Sequence, residues 1–400
     1  MRILVIGGDG YCGWATALHL SACGHDVTIL DNLVRRKWDR DLGVSSLTPI
    51  RGIGERLRSW EATTGKKIGF IKADATNYAA LVEAFQTVEP EAIVNFGQQR
   101  SAPFSMIDRD HAALTMVNNT LCNLNVLWAM REHAPAAHLV KLGTMGEYGT
   151  PNIEIEEGFI TIEHKGRRDT LPFPKQPGSF YHLTKVSDSD QLFFTCRIWG
   201  LRATDLNQGV VYGLDTEETT LAPALVNRFD YDGVYGTALN RFCVEAALGH
   251  PLTVYGRGGQ TRGFINIVDT VRCVRLAVET PAEAGEFRVF NQFTQTFSVL
   301  SLAHSVVRVG AAMGLSVELQ HVENPRVEKE LHYYSSVNNH LLALGLEPTL
   351  LDDPTIEGMI RTAARYEKRV DTGQIPATVQ WAAGSPPGRP AVPAKVVRRS

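Results

Sequence analysis

A doubly wound parallel α/β sheet with a smaller C-terminal lobe is the fold class this sequence predicts, and three observations predict it. Short runs rich in Val, Ile and Leu alternate with longer amphipathic segments over roughly the first 150 residues. The first run passes directly into a glycine loop, Gly7-Gly8-Asp9-Gly10-Tyr11-Cys12-Gly13. Beyond about residue 150 the rhythm breaks, and strand and helix signals interleave as a second lobe built from late pieces of chain would require. At about 100–200 residues per domain, 400 residues suit one elaborate unit or two lobes sharing a cleft.

In order, Arg2–Ile6, Asp26–Leu30, Ile68–Lys72, Ala92–Phe96 and His138–Leu142 read as strands separated by helix-length stretches. Repeated β-α units imply a parallel sheet covered on both faces. Lys165-Gly166 is a turn between two β-prone runs, so residues 158–175 read as an inserted hairpin and loop ahead of a helix over Ser179–Trp199. Signals at Leu201–Gly209, Gly236–Ala247, Leu252–Tyr255, Asp269–Val278 and Phe287–Asn291 follow. The expected division is a dinucleotide-binding domain over 1–205 and a substrate lobe over 206–380, some segments of which return to the first domain. Residues 381–400, with Gly-Ser-Pro-Pro and a basic end, read as a disordered tail.

Composition excludes several function classes. With 21% charged residues and a formal net charge of −3, the chain lacks the basic footprint of a nucleic-acid or anionic-membrane binder. No run approaches the roughly 18 apolar residues that cross a bilayer, and Ile3–Ile6 is too short for a signal peptide, so a cytoplasmic protein is expected. Six scattered cysteines form no C-x-x-C pair, which points to no metal site and no disulfide scaffold.

The glycine loop opens a helix. Gly7 and Gly10 let the backbone approach a pyrophosphate at the positive helix N-terminus, and Gly13 lets helix and strand pack closely. About 20 residues later the second strand ends at Asp31, where a carboxylate can hold the adenosine ribose hydroxyls, favouring NAD. Arg35 and Arg36 could instead accommodate a 2′-phosphate, which Asp31 would repel. Asp74-Ala75, ending the third strand, can cap an adenine amine, or Asp74 is a solvated strand-end aspartate.

Of eleven tyrosines only Tyr181 has a lysine four residues on, Lys185, a spacing that puts both side chains on one helix face. A cation beside a phenol lowers its pKa, as removal of a hydroxyl proton near neutral pH demands. The fifth strand runs into Leu142-Gly143-Thr144, placing the Thr144 hydroxyl at the sheet edge where open α/β folds bind ligands.

Glycine loop, acidic strand end, strand-end hydroxyl and Tyr/Lys helix together resemble the extended short-chain dehydrogenase/reductase family, of Rossmann type, whose members mostly modify nucleotide sugars. The resemblance implies NAD held by Gly7, Asp9, Gly10, Tyr11, Cys12, Gly13, Asp31, Asn32, Arg35, Asp74, Ala75 and Asn118, with Tyr181 and Lys185 at its nicotinamide end. Tyr181 would take the proton from the sugar's carbon-4 hydroxyl, Lys185 would tune Tyr181, and Thr144 would orient the hydroxyl. The related 4,6-dehydratases carry Asp and Glu directly after the threonine; Met145 and Gly146 stand here. GGDGYCGW, DNLVRR, QRSAPFSM, KLGTMGEYGTPNIE, DLNQGVVYG, GRGGQTRGF and NPRVE are similar to the branch that uses UDP-glucose and sulfite. That branch implies oxidation at carbon 4, loss of the carbon-6 hydroxyl, sulfite addition there and re-reduction. Arg100 and Ser101 would hold the sulfite, and Arg262 and Arg326 the diphosphate, with Glu328 beside them. Tyr255 would lie against the uracil, while Gln208, Thr237, Ala238, Asn240 and Arg241 would complete the pocket. His182, Glu147 or Tyr181 would be the carbon-5 base. A homodimer through Asp110–His133 and Ser179–Trp199 is implied. A UDP-hexose 4-epimerase and a non-catalytic NAD-binding sensor are the alternatives.

Overall fold

A computed structural model describes residues 1–329 and 331–381. Strands β1 (Arg2–Ile6), β2 (Asp26–Leu30), β3 (Ile68–Ile71), β4 (Ala92–Asn95) and β5 (His138–Thr144) alternate with helices α1 (Tyr11–Ala22), α2 (Val34–Leu42), α3 (Ile53–Thr64), α4 (Tyr78–Val88) and α5 (Arg109–His133). The hairpin β6 (Phe159–His164) and β7 (Arg167–Pro172) precedes α6 (Phe180–Trp199), β8 (Arg202–Gln208) and β9 (Val210–Tyr212). After α7 (Ala238–Ala247) come β10 (Leu252–Tyr255), β11 (Thr261–Asn266), α8 (Ile267–Glu279), β12 (Phe287–Gln292) and β13 (Gln295–Ser298). Helix α9 (Val299–Ala312), strand β14 (Leu319–Val322) and helices α10 (Asn339–Ala343) and α11 (Asp353–Arg365) follow.

Seven strands form one sheet in the order β12-β8-β5-β4-β1-β2-β3, every neighbouring pair parallel. The chain reverses its direction of travel across the sheet between β1 and β4, and such a switch opens a crevice at the strands' carboxyl ends. One face is covered by α1, α3 and α8, with Trp14, Leu18, Trp60 and Val274 enclosed. Leu81, Phe85, Val126, Met130 and Leu192 of α4, α5 and α6 cover the other. Each such side chain contributes about 1.5–3 kcal/mol by leaving water. The smaller lobe has its own core around Phe229, Phe242, Leu302, Met359 and Ile360.

Differences from the sequence expectation have local causes. Strand β8 crosses the expected boundary at 205 and ends at Gln208, because its whole length pairs with β5 and β12. The hairpin turns through Lys165 and Gly166, both at positive φ (52° and 72°), the backbone that a two-residue turn between twisted strands needs. Trp381, read as the first residue of a disordered tail, is instead docked: its N–H donates to the Pro325 carbonyl at 2.9 Å and Arg326 lies over its ring. The remainder of that tail, 382–400, lies outside the described residues. Among the described residues no helix is long and apolar enough to cross a membrane, and no group of three or more His, Cys, Asp or Glu is placed to hold a metal ion.

Candidate active site

The switch-point crevice is a cleft of about 1110 Å³, its open mouth included, running from Asp31 past the glycine loop to Tyr181 and Lys185. Gly7 sits at φ +81°, and a Cβ there would fall 2.6 Å from the Phe96 carbonyl at the end of β4. A Cβ on Gly13 would fall 2.2 Å from the Gly7 carbonyl oxygen. Contact this close is open only to glycine, and it seats the start of α1 on the loop. No side chain caps that helix, so its first amides face the cleft free to meet an anion. On the cleft wall Nε of Arg35 is buried without a hydrogen-bond partner. Uncapped amides, an orphaned guanidinium donor and a ribose-height carboxylate fit NAD.

Asp31 accepts from Asp9 N at 2.9 Å and Leu33 N at 2.6 Å. Burial pushes its pKa up, against the pull of those two donors. Asp9, expected as a cofactor ligand, has its carboxylate taken by Arg36 (2.6 and 2.8 Å) and Arg56 (2.9 Å), so only its backbone is left to the cleft. The same pairing withdraws Arg36 from any 2′-phosphate. Arg35 lies over the Tyr235 ring at 3.5 Å and pairs with Asp39 and Asp230 at 3.0 and 3.6 Å. Asn32 donates to Asp74 at 2.9 Å, and the other Asp74 oxygen accepts from Thr76 N and Oγ1, so Asp74 braces a turn first of all. Tyr11, Cys12, Ala75 and Asn118 line the cleft. Gln208, expected in the sugar pocket, stands over Cys12 in this cleft, 3.9 Å from its Sγ.

At the other end Tyr181 and Lys185 of α6 line the cleft beside Leu142 and Gly143 of β5, while the hydroxyl of Thr144, the last residue of β5, accepts from Gly146 N at 3.1 Å. Ser179 caps α6 by accepting from His182 N, and Tyr181 N donates to Ser105 Oγ at 3.1 Å, which fixes the first turn. Lys185 Nζ is 5.9 Å from the centre of the Tyr181 ring, but its donors go to the Gln98 side chain and the Leu142 carbonyl. The expected effect of Lys185 on the phenol is therefore corrected. Burial pushes the Tyr181 pKa up, and the cations opposing that rise are Lys141 and Arg100. Burial, and then the neighbouring charge of Lys141, bring Lys185 itself down to about 8.

Gly146 explains His182. A Cβ on Gly146 would fall 2.4 Å from His182 Nε2, so the imidazole fills the space that a side chain after Met145 would use. Ser179 Oγ lies 3.0 Å from Nδ1. Burial and the cations Arg326 and Arg262 lower the His182 pKa to about 4, leaving the ring neutral. Glu147 is removed from the candidate bases: fully enclosed, it is held by Lys175 at 2.7 Å and Ser189 at 2.9 Å, away from the cleft.

The remaining expected residues divide. Arg100 lines the cleft and is held by Asp230 at 2.5 Å. Ser101 does not face it: 4% exposed, its hydroxyl donates to the Val234 carbonyl and accepts from Phe104 N, shaping the loop. In the smaller lobe Arg241 stacks on Tyr255 at 4.3 Å and donates to its hydroxyl. Arg262 donates to Glu328 at 2.6 Å, and Arg326 is close enough for the charges of Arg262, Arg241 and Glu328 to act on it. Thr237 and Ala238 start α7, while Asn240 donates to the Asp230 carbonyl at 3.2 Å. Sequence reasoning missed Trp38 and Tyr235 on the cleft wall, which carry no local signal. It also passed over Lys141, whose signal was a lone charge within the strand HLVKLGT.

The chain belongs to the NAD dependent epimerase/dehydratase family, whose model matches residues 3–291. Over 380 residues, 95% of this chain and 79% of the other, it is 60% identical to the chloroplastic UDP-sulfoquinovose synthase of Spinacia oleracea. It is 44% identical over 372 residues to the UDP-sulfoquinovose synthase of Sulfolobus acidocaldarius, covering 93% and 94% of the two chains. Among solved structures, a Bifidobacterium longum UDP-glucose 4-epimerase in complex with NAD+ and UDP shares the fold. Its TM-score is 0.68 at 18% identity, over 94% of this chain and 100% of that one.

Proposed function

We propose that this chain makes UDP-sulfoquinovose from UDP-glucose and sulfite, with NAD as its cofactor. The observation that carries this reading is identity over nearly the whole chain to two proteins of that name. The Tyr181/Lys185 centre alone would serve a 4-epimerase equally well.

When bound, NAD would be held by the glycine loop and Asp31 and would supply the hydride acceptor for carbon 4 and the donor for the final reduction. Tyr181 takes the carbon-4 hydroxyl proton while Thr144 orients that hydroxyl. His182 takes the carbon-5 proton, made acidic by the carbon-4 ketone. The carbon-6 hydroxyl then leaves as water with the proton taken from carbon 5, and the sulfur lone pair of sulfite forms the new bond at carbon 6 as the carbon 5–carbon 6 double bond opens and carbon 5 regains a proton. Arg100 offers the guanidinium such a dianion needs, and Arg262, Arg326 and Arg241 suit the diphosphate. Mass spectrometry of the nucleotide sugar formed from UDP-glucose, NAD and isotopically labelled sulfite tests the reading. Label in the sugar is expected; accumulation of UDP-galactose with no sulfite-dependent product would favour an epimerase.

His182→Ala should separate the steps. Sulfite incorporation is expected to fall by about 10²-fold or more while oxidation to the 4-keto sugar falls less; equal losses would remove His182 as the carbon-5 base.

A homodimer through α5 and α6 is part of the same proposal. Val117, Leu124, Phe194 and Ile198 are 41–61% exposed on these two helices, an apolar surface of the kind that interfaces cover. Sedimentation at micromolar concentration should give a dimer, and Phe194→Glu a monomer; a monomeric parent chain would end the idea.

A further inference from the structure

A charged side chain in the middle of a buried strand is expensive, and β5 carries Lys141 wholly enclosed. Its Nζ lies 3.2 Å from Asp205 on β8, 3.7 Å from Glu147 and 3.8 Å from Asp188 on α6, all three carboxylates equally enclosed. Two further cations complete the balance. Lys175 meets Glu147 at 2.7 Å, and Gln98 links Lys185 to Asp188, accepting from the lysine and donating to the carboxylate at 2.8 Å. Ser189 Oγ joins Glu147 to Asp205, at 2.9 and 2.7 Å.

Two short routes lead from this cluster to the oxidation centre. Glu147 Oε1 accepts from Thr144 N at 3.4 Å, and the path through Asp188 and Gln98 ends on Lys185. Tyr181, Lys185 and Asp188 are spaced i, i+4, i+7, one stripe of α6 facing Lys141. We infer that Lys141 is a positioning residue for the oxidation step, tying Glu147, Asp188 and Asp205 into one ion-paired cluster beneath α6 and supplying the fixed positive charge beside Tyr181. In keeping with this, Lys141 is the foremost cation acting against the effect of burial on the phenol, with Arg100 behind it and Glu147 and Asp188 opposing.

The inference rests on the proposed function only through its first half, oxidation of UDP-glucose, followed without sulfite by the absorbance of the reduced cofactor. In Lys141→Met that rate should fall about 100-fold at neutral pH with the UDP-glucose KM little changed, and the pH of half-maximal rate should rise by about one unit. Lys141→Arg should recover most of the rate. An unchanged rate and midpoint in Lys141→Met overturns the inference, as does equal loss in both variants with no shift of midpoint, the mark of packing alone. Should Lys141→Met fail to fold, Lys141→Met/Asp205→Asn is compared with Asp205→Asn, and the same shift is required.

A second measurement needs no turnover. Burial already raises Asp188 to about 6 against the pull of Lys141; without that cation it binds its proton at higher pH in the folded chain, so Lys141→Met should gain stability relative to the parent as pH falls toward about 6. Parallel unfolding curves overturn the inference. If UDP-glucose is oxidised but labelled sulfite is not fixed, the proposed function fails and the Lys141 test stands.

Discussion

Tyr181→Phe should lower the rate of UDP-glucose oxidation by about 10³-fold while leaving the fold and bound NAD in place. The substitution removes one oxygen and keeps the ring, whose position is set by the Ser179 cap and by the bond from Tyr181 N to Ser105, neither of which involves the phenol. Lys185 keeps its bonds to Gln98 and Leu142. The loss therefore belongs to proton removal from the carbon-4 hydroxyl. Sulfite incorporation should fall in parallel, since carbon 5 becomes acidic only after carbon 4 is a ketone. Stopped-flow absorbance measures the rate, and the absorption of extracted cofactor reports occupancy. A rate within tenfold of the parent chain would assign that proton to another group.

Gly13→Ala should weaken NAD binding by about 10–100-fold, because the added carbon meets atoms that cannot step aside. It would lie 2.2 Å from the Gly7 carbonyl oxygen and 3.0 Å from Gly7 C and Gly8 Cα, all backbone. Relief requires α1 to lift from the loop, which takes its free amides away from the pyrophosphate. Gly10→Ala is the internal comparison, with its Cβ 3.3 Å from the same oxygen and a smaller loss expected. Cofactor content after purification and titration calorimetry would measure both. Equal retention in the two variants would mean that the loop does not cradle the dinucleotide.

The parallel sheet was legible because periodicity and the glycine loop are local. Strand ends shifted by one or two residues, since pairing and not composition decides where a strand stops: β5 continues to Thr144 against β8. That Tyr181 and Lys185 share one helix face in the cleft was readable from their spacing. What those side chains feel was not. The charge under Tyr181 comes from Lys141, forty residues upstream, and the groups that occupy Asp9 and Ser101 come from α2, α3 and the loop before α7. Long-range pairing of this kind leaves no mark on neighbouring residues. Tyr235 likewise reaches the cofactor cleft only because the chain folds back across it.

Gly146 and His182 occupy one volume, and this has a bearing on how such a centre could have arisen. A carboxylate at position 146 would meet the imidazole of His182 where it now stands, so the ring would have to swing aside. Passage from a chain with an acidic residue there to this one would need loss of that side chain before the ring could take its present place. In the laboratory the reverse journey calls for two coordinated replacements, and a glutamate introduced at 146 alone would evict the histidine without inheriting its task.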